Sequence, residues 1–268
     1  MKKITVILAA ILIIVSVSSA VAPKAAKAKN AKPDVQKQEF YELRVYRIAS
    51  AEKQKIVSTY LEKALLPALK RMSLNNIGVF TVKDAPEDFS IHVLITYPKL
   101  HTFARVNNKL RTDKAYNKAA AAYFALGKKD PAFTRIESRL MKAFAGIPTM
   151  EIPAQTKAKS QRMFEVRIYE SHNEYKARKK VDMFNKGEIQ VMRDTKLAPV
   201  FFGETLIGSD VPNLTYMLSA SDMDSHKEHW KAFMAHPEWN RMKKMPVYKD
   251  TVSKISKTFL VPTKYSQL

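Results

Sequence analysis

The chain has 268 residues, a formal net charge of +21 from 46 lysines and arginines against 25 acids, and no cysteine. Without thiols it forms no disulfide, carries no lipid-modified cysteine and has no thiol nucleophile, so any exported form must stand on its core alone. The positive charge fits anionic headgroups or acidic wall polymers, or simple lysine-driven solubility. Nucleic acid is not expected as a partner, because no arginine-rich helix or interleaved aromatic and basic strand is present.

Residues 1–20 read as a signal peptide: Lys2 and Lys3, an apolar run from Ile4 to Val17, then Ser18-Ser19-Ala20 at a small-x-small cleavage site. The alternative is a retained membrane anchor from Ile4 to Ala22. Cleavage removes two lysines and no acid, leaving 21 − 2 = +19 on a periplasmic or secreted protein, with weak association to anionic envelope surfaces as one consequence. Residues 21–38, rich in Ala and Lys with nothing to bury, form a basic tether.

From residue 39 the chain states one pattern twice. Tyr41-Glu-Leu-Arg-Val-Tyr46 returns as Phe164-Glu-Val-Arg-Ile-Tyr169, and 164 − 41 gives an offset of 123 residues. The same offset lays Ile91–Thr96 on Leu214–Ser219 and Tyr116-Asn117 on Trp239-Asn240, so the repeat is a domain duplication in register. In the first repeat, 39–147, strict alternation predicts a strand over 40–48. Helical spacing of Ile56, Tyr60, Leu61, Ala64, Leu65 and Leu69 predicts a helix over 51–72. Strands follow near 78–82 and 90–97, then a helical region broken near Thr112-Asp113, then a strand near 133–144. Residues 148–162, with two prolines and no periodicity, read as a linker. The second repeat, 163–262, gives a strand over 163–170, a helix over 173–194, strands over 200–207 and 213–220, helices within 222–244 and a strand over 250–260. Two βαββαβ units make the fold class α+β: tandem ferredoxin-like repeats whose sheets cover each other as an intrachain pseudo-two-fold α+β barrel.

The Tyr-Glu-Leu-Arg-Val-Tyr strand, the long helix after it, and Trp230-Lys-Ala-Phe233-Met-Ala-His-Pro237-Glu-Trp239 resemble the NIPSNAP family of the dimeric α+β barrel superfamily, over residues 39–262. The resemblance implies architecture rather than a reaction, since the wider superfamily holds cofactor-free monooxygenases, haem enzymes and stress-response barrels. The first copy departs from the second signature, with Asn107, Leu110, Lys114 and Tyr116 at the positions of Trp230, Phe233, Pro237 and Trp239.

Three constellations carry chemistry. Glu42, Arg44, Tyr46 and their copies Glu165, Arg167, Tyr169 are expected to face the space between the sheets, because the apolar side of each strand is assigned to the helices. There they form either a polar ligand clamp or a salt-bridge layer fastening the sheets. His92, on the lumen side beside Leu94 and Thr96 and matched by Thr215, is a catalytic candidate as a general base or an interior hydrogen-bonded residue. His226 and His229, three apart on a helix with His236 beyond, make a metal site or a surface helix face; no metal is assigned. Helix aromatics such as Trp230, Phe233, Trp239 and Tyr116 pack helices on sheet or wall an apolar pocket there. No phosphate loop or nucleophile elbow is present and no cofactor is called for. The expectation is a protein binding a small apolar or carboxylate-bearing ligand in a barrel cavity, or an envelope interaction protein. The alternative is a cofactor-independent oxygenase or isomerase-like enzyme using His92 with Glu42 and Arg44.

Overall fold

Hydrophobic alternation and helical spacing reappear directly as elements in the structure, a computed structural model that describes residues 37–268. The leader and all but the end of the tether therefore lie outside the described residues. Strand β1 is Phe40–Arg47. Ser50 then caps a helix, its side chain accepting from the Lys53 amide. The helix runs Ala51–Tyr60, widens into a π-turn at Leu61–Leu65 and continues Leu66–Arg71; the three pieces are α1. The wide turn lies just before Pro67, which has no N–H to give and whose ring would crowd a regular turn. Strands β2 (Gly78–Val82) and β3 (Ile91–Tyr97) precede α2 (Leu100–Thr112), α3 (Lys114–Ala119), α4 (Ala121–Phe124) and β4 (Arg135–Ala143). The break between α2 and α3 falls at Asp113, whose carboxylate accepts from the Tyr116 amide and starts a new helix. A one-turn helix α5 (Ala154–Lys157) lies between the repeats.

The second repeat copies this order. Strand β5 is Met163–Glu170. Helix α6 is Glu174–Met183, a π-turn Phe184–Glu188 and Ile189–Asp194, capped by Asn173. Then come β6 (Ala198–Ile207), β7 (Asn213–Ala220), α7 (Met223–Ala235), α8 (Pro237–Met242), a 3-10 turn at Pro246–Tyr248 and β8 (Lys254–Pro262). Gly187 in the π-turn permits close approach of α8, since a Cβ there would meet the Met242 sulfur at 2.8 Å.

The strands close into one antiparallel barrel in the order β1-β3-β2-β8-β5-β7-β6-β4. Each repeat contributes a four-stranded sheet, and the seams are β2 with β8 and β4 with β6. Equivalent pairings, Leu43 with Leu94 and Val166 with Met217, repeat across the pseudo-two-fold.

The facing of the sheets reverses one expectation. Tyr41, Leu43, Phe80, Phe164, Phe201 and Met217 fill the barrel interior, with Tyr41 against Phe201 and Phe80 against Phe164, each pair at 4.9 Å between ring centroids. The Glu-Arg-Tyr sides of β1 and β5 point outward beneath the helices, where Tyr46 packs with Val57, Tyr60 and Leu61. Two sheet faces that see only each other leave no water for charges, so the apolar sides turn inward and the charged sides lie nearer solvent. Phe201→Ala should therefore cost about 3–5 kcal/mol in urea unfolding, as for a large aromatic lost from a close-packed interior. Ile207→Ala, at a side chain 67% exposed on the same sheet, should stay within about 0.5 kcal/mol.

Candidate functional site

The strand triplet is held differently in the two copies. Glu42 is saturated: Arg44 donates from Nε (3.0 Å) and Nη2 (2.9 Å), Tyr97 from its hydroxyl (2.8 Å) and Ser138 from Oγ (2.8 Å). This is the salt-bridge reading with its direction corrected, since the pair lies along one strand beneath helices and does not fasten sheet to sheet. The offset of 123 replaces Tyr97 by Ala220, Phe103 by His226 and Asn107 by Trp230. Glu165 instead lies 3.1 Å from Trp230 Nε1 and 3.0 Å from His226 Nε2. Arg167 Nε stands 3.1 Å from Glu165, while the guanidinium lies over the Trp230 ring at 4.2 Å and Nη1 donates to the Tyr169 hydroxyl at 3.1 Å.

A second exchange is deeper. Val57 and Leu65 of α1 are buried apolar residues, and their counterparts on α6 are Lys180 and Glu188. Those two form an ion pair of 2.6 Å with both side chains almost fully buried. Lys180 Nζ lies 4.6 Å from the Phe184 ring centroid, 5.4 Å from Trp239 and 5.6 Å from Tyr169. Burial holds the Glu188 carboxyl above its ordinary range, opposed by Lys180.

Together these side chains wall a cleft of about 610 Å³ between the second sheet and helices α6, α7 and α8. In the first copy Tyr60 stacks on Tyr123 at 4.0 Å, and its hydroxyl meets that of Tyr116 at 2.8 Å, within a set of mutually packed aromatics. The polar groups of the cleft left unmet are donors. The Tyr169 hydroxyl accepts from Arg167 and from Tyr216, so its own proton is uncommitted. Among the described residues Arg167 Nη2 makes no hydrogen bond, and the buried indole N–H of Trp239 has no partner.

The histidines fall elsewhere. His92 does face the lumen, pairing with Val45 of β1, and lines a cavity of about 120 Å³ at the barrel mouth. Burial, aided by Arg47, lowers its pKa to about 4, so the ring is neutral near pH 7. Glu42 and Arg44 lie on the other face of the sheet, so the structure does not bring these three together. His226 is buried against Glu165 and Trp230 rather than on a surface face. His236 caps α8 by accepting from the Glu238 amide. Among the described residues no group of three His, Asp or Glu is placed to hold a metal, so His226 and His229 are not gathered into a site. Sequence reasoning passed over Lys180 and Glu188; their signal was charge at two positions that are apolar in the other copy.

Removing either partner of the buried pair, by Lys180→Met or Glu188→Gln, should destabilise the fold by about 3–5 kcal/mol in urea titration. The double change K180V/E188L, which installs the residue types of the first copy at both positions, should be neutral or stabilising. Because the folded Glu188 pKa lies above its unfolded value near 4.5, the folded state binds the extra proton between the two values, and stability falls as pH rises through that window. Glu188→Gln should remove that slope.

The NIPSNAP family model matches residues 41–145 and 164–267. Among solved structures the chain is similar to a Fusobacterium nucleatum protein provisionally named a monooxygenase, with 10% identity and a TM-score of 0.55 over 85% of this chain and 93% of that one. A Lactobacillus acidophilus protein of the same provisional name gives 10% identity and a TM-score of 0.55 over 84% and 94%. An uncharacterised NIPSNAP-like domain protein from Burkholderia xenovorans is 20% identical over 40% of this chain and 89% of that one, with a TM-score of 0.35. No curated protein matches the sequence. The two longer likenesses are of fold alone.

Proposed function

The chain belongs to the NIPSNAP family, and from the difference between its two repeats we propose that it is a binding protein whose cleft on the second repeat takes a small molecule with a flat apolar body and one acceptor oxygen, best a carboxylate. The observation that carries this is the set of unmet donors inside aromatic walls: Arg167 Nη2, the Tyr169 hydroxyl and the Trp239 indole N–H. The Trp239 N–H is buried without an acceptor, which is costly, and a ligand oxygen relieves that cost; Arg167 Nη2 is not itself buried and is free to meet an acceptor in the cleft. Trp230, Phe233 and Trp239 supply the flat apolar walls. Protonation of Glu188 would release Lys180 toward a bound carboxylate, so binding should tighten as pH falls. The ligand site thus moves from the lumen, which side chains fill, to the space between helix and sheet. The enzyme alternative centred on His92 with Glu42 and Arg44 loses its geometry, because the sheet separates them.

The chain has only two tryptophans, and both wall this cleft, so intrinsic fluorescence reports the site. We expect 2-naphthoate to change that emission saturably and 2-naphthamide to bind more weakly. Arg167→Met should raise the naphthoate dissociation constant at least about tenfold, the size of one lost charge-assisted hydrogen bond. Equal affinity for acid and amide, or an unaffected Arg167→Met, would sink the reading.

We also propose that the protein is exported to the periplasm or beyond, with loose attachment to anionic envelope surfaces. The support is the leader layout from Lys2 to Ala20 and the charge of the remaining chain. Amino-terminal sequencing of the protein from its own cell should begin at Val21; recovery of an intact Met1 form would favour the retained anchor.

A further inference from the structure

A separate asymmetry lies at the barrel mouth, on the opposite face of the sheets from the cleft. Leu43 pairs with Arg139 as Val166 pairs with Thr258, and Val45 pairs with His92 as Ile168 pairs with Thr215. The mouth is shared by equivalent strand ends of both repeats, so the first supplies a guanidinium and an imidazole where the second supplies two threonines. Among the described residues the charge of Arg139 is not balanced by an ion pair. Glu137, which also lines the mouth, is taken by Arg47 at 2.8 Å and Glu170 by Lys254 at 2.9 Å; these two and the exposed Asp210 act on Arg139 only at longer range, Asp210 most strongly. Its direct partners are neutral: Nη1 donates to Asn213 Oδ1 and to Thr215 Oγ1, both at 3.3 Å. Burial lowers the Arg139 pKa from its ordinary value, the mark of a cation stripped of water without an equal counter-charge.

Beneath Arg139 the cavity floor is apolar, with Leu43, Val166 and Ile168, and its rim carries the hydroxyls of Ser209 and Thr258. Its volume of about 120 Å³ corresponds to roughly four waters at ~30 Å³ each. That excludes a drug-sized molecule and fits one small anion. A guanidinium presents a planar fork matched to two oxygens of a carboxylate or phosphate.

We propose that the barrel mouth binds one small oxyanion, a short carboxylate or an inorganic phosphate or sulfate, on Arg139 with the Ser209 and Thr258 hydroxyls beside it. The site is independent of the aromatic cleft. It neutralises a mouth cation that lacks an ion-pair partner among the described residues, and Asp210 competes with the ligand for it.

The test is thermal unfolding of the full chain, followed by circular dichroism, in phosphate, sulfate or acetate at an ionic strength held constant with chloride. Wild type should gain melting temperature with at least one of the three, and the most effective anion identifies whether planar or tetrahedral geometry is preferred. Arg139→Met should melt higher than wild type in chloride alone, because a half-buried charge without an ion-pair partner is gone, and should lose the oxyanion response. Asp210→Asn should shift that response to a several-fold lower concentration. No response in wild type overturns the proposal. So does an equal response in Arg139→Met, which would mean general binding to a basic surface. If Arg139→Met does not fold, Asp210→Asn decides: an unchanged or weaker response contradicts the site.

Discussion

The constraint on which the rest of the molecule depends is that each four-stranded sheet has one face that only the other sheet can cover. Closing β2 on β8 and β4 on β6 satisfies both faces at once and leaves no free edge in the barrel. The enclosed space is then the driest in the protein, and it fills with Tyr41, Phe80, Phe164, Phe201 and Met217. The Glu-Arg pairs Glu42–Arg44 and Glu165–Arg167 go outward beneath the helices, and so does the opportunity for a sizeable ligand. A barrel packed with side chains cannot hold a sizeable guest, whereas a helix resting on a sheet can be propped away by what lies between.

The two copies differ in that space. In the first, Val57, Leu65 and the Tyr60, Tyr116 and Tyr123 rings close it, and Glu42 is fully bonded by Arg44, Tyr97 and Ser138. In the second, Lys180 and Glu188 replace two aliphatic side chains, and Trp230 takes Arg167 onto its face. A buried ion pair seldom improves on well-packed apolar residues for stability. The first copy shows that the fold accepts the apolar version at the same positions. The charged version is therefore explained better by what it offers a ligand than by what it does for the fold.

Much of this was legible in the sequence. Register-true repeats, period-two strands and helical spacing carried the element order and the closed α+β barrel, and the departures of one copy from the other marked His92, Trp230 and the His226–His236 region as places to look. Two things were not legible. Strand β3 is buried along its whole length on both faces, so alternation on β1 alone had nothing to say about which face met the helices. Lys180 and Glu188 are eight apart, which regular helix geometry sets about 80° apart. The π-turn at Phe184–Glu188 takes up about one extra residue, so the two fall on one face two turns apart, and period-3.6 reading cannot see this. His92 was placed on the correct side of its strand, but the strand faces that flank it were assigned in reverse, so its expected partners lie across the sheet.

The most direct measurement of the central claim is the pair of indole N–H signals in a ¹H–¹⁵N spectrum of the protein titrated with 2-naphthoate, since the chain has two tryptophans and both belong to the cleft. The Trp239 signal should start from a position typical of an unbonded N–H and move downfield as the carboxylate accepts from it, with Trp230 shifting alongside through ring stacking. Saturable shifts elsewhere in the spectrum with both indole signals unmoved would contradict the account, and would place the ligand outside the second repeat's cleft.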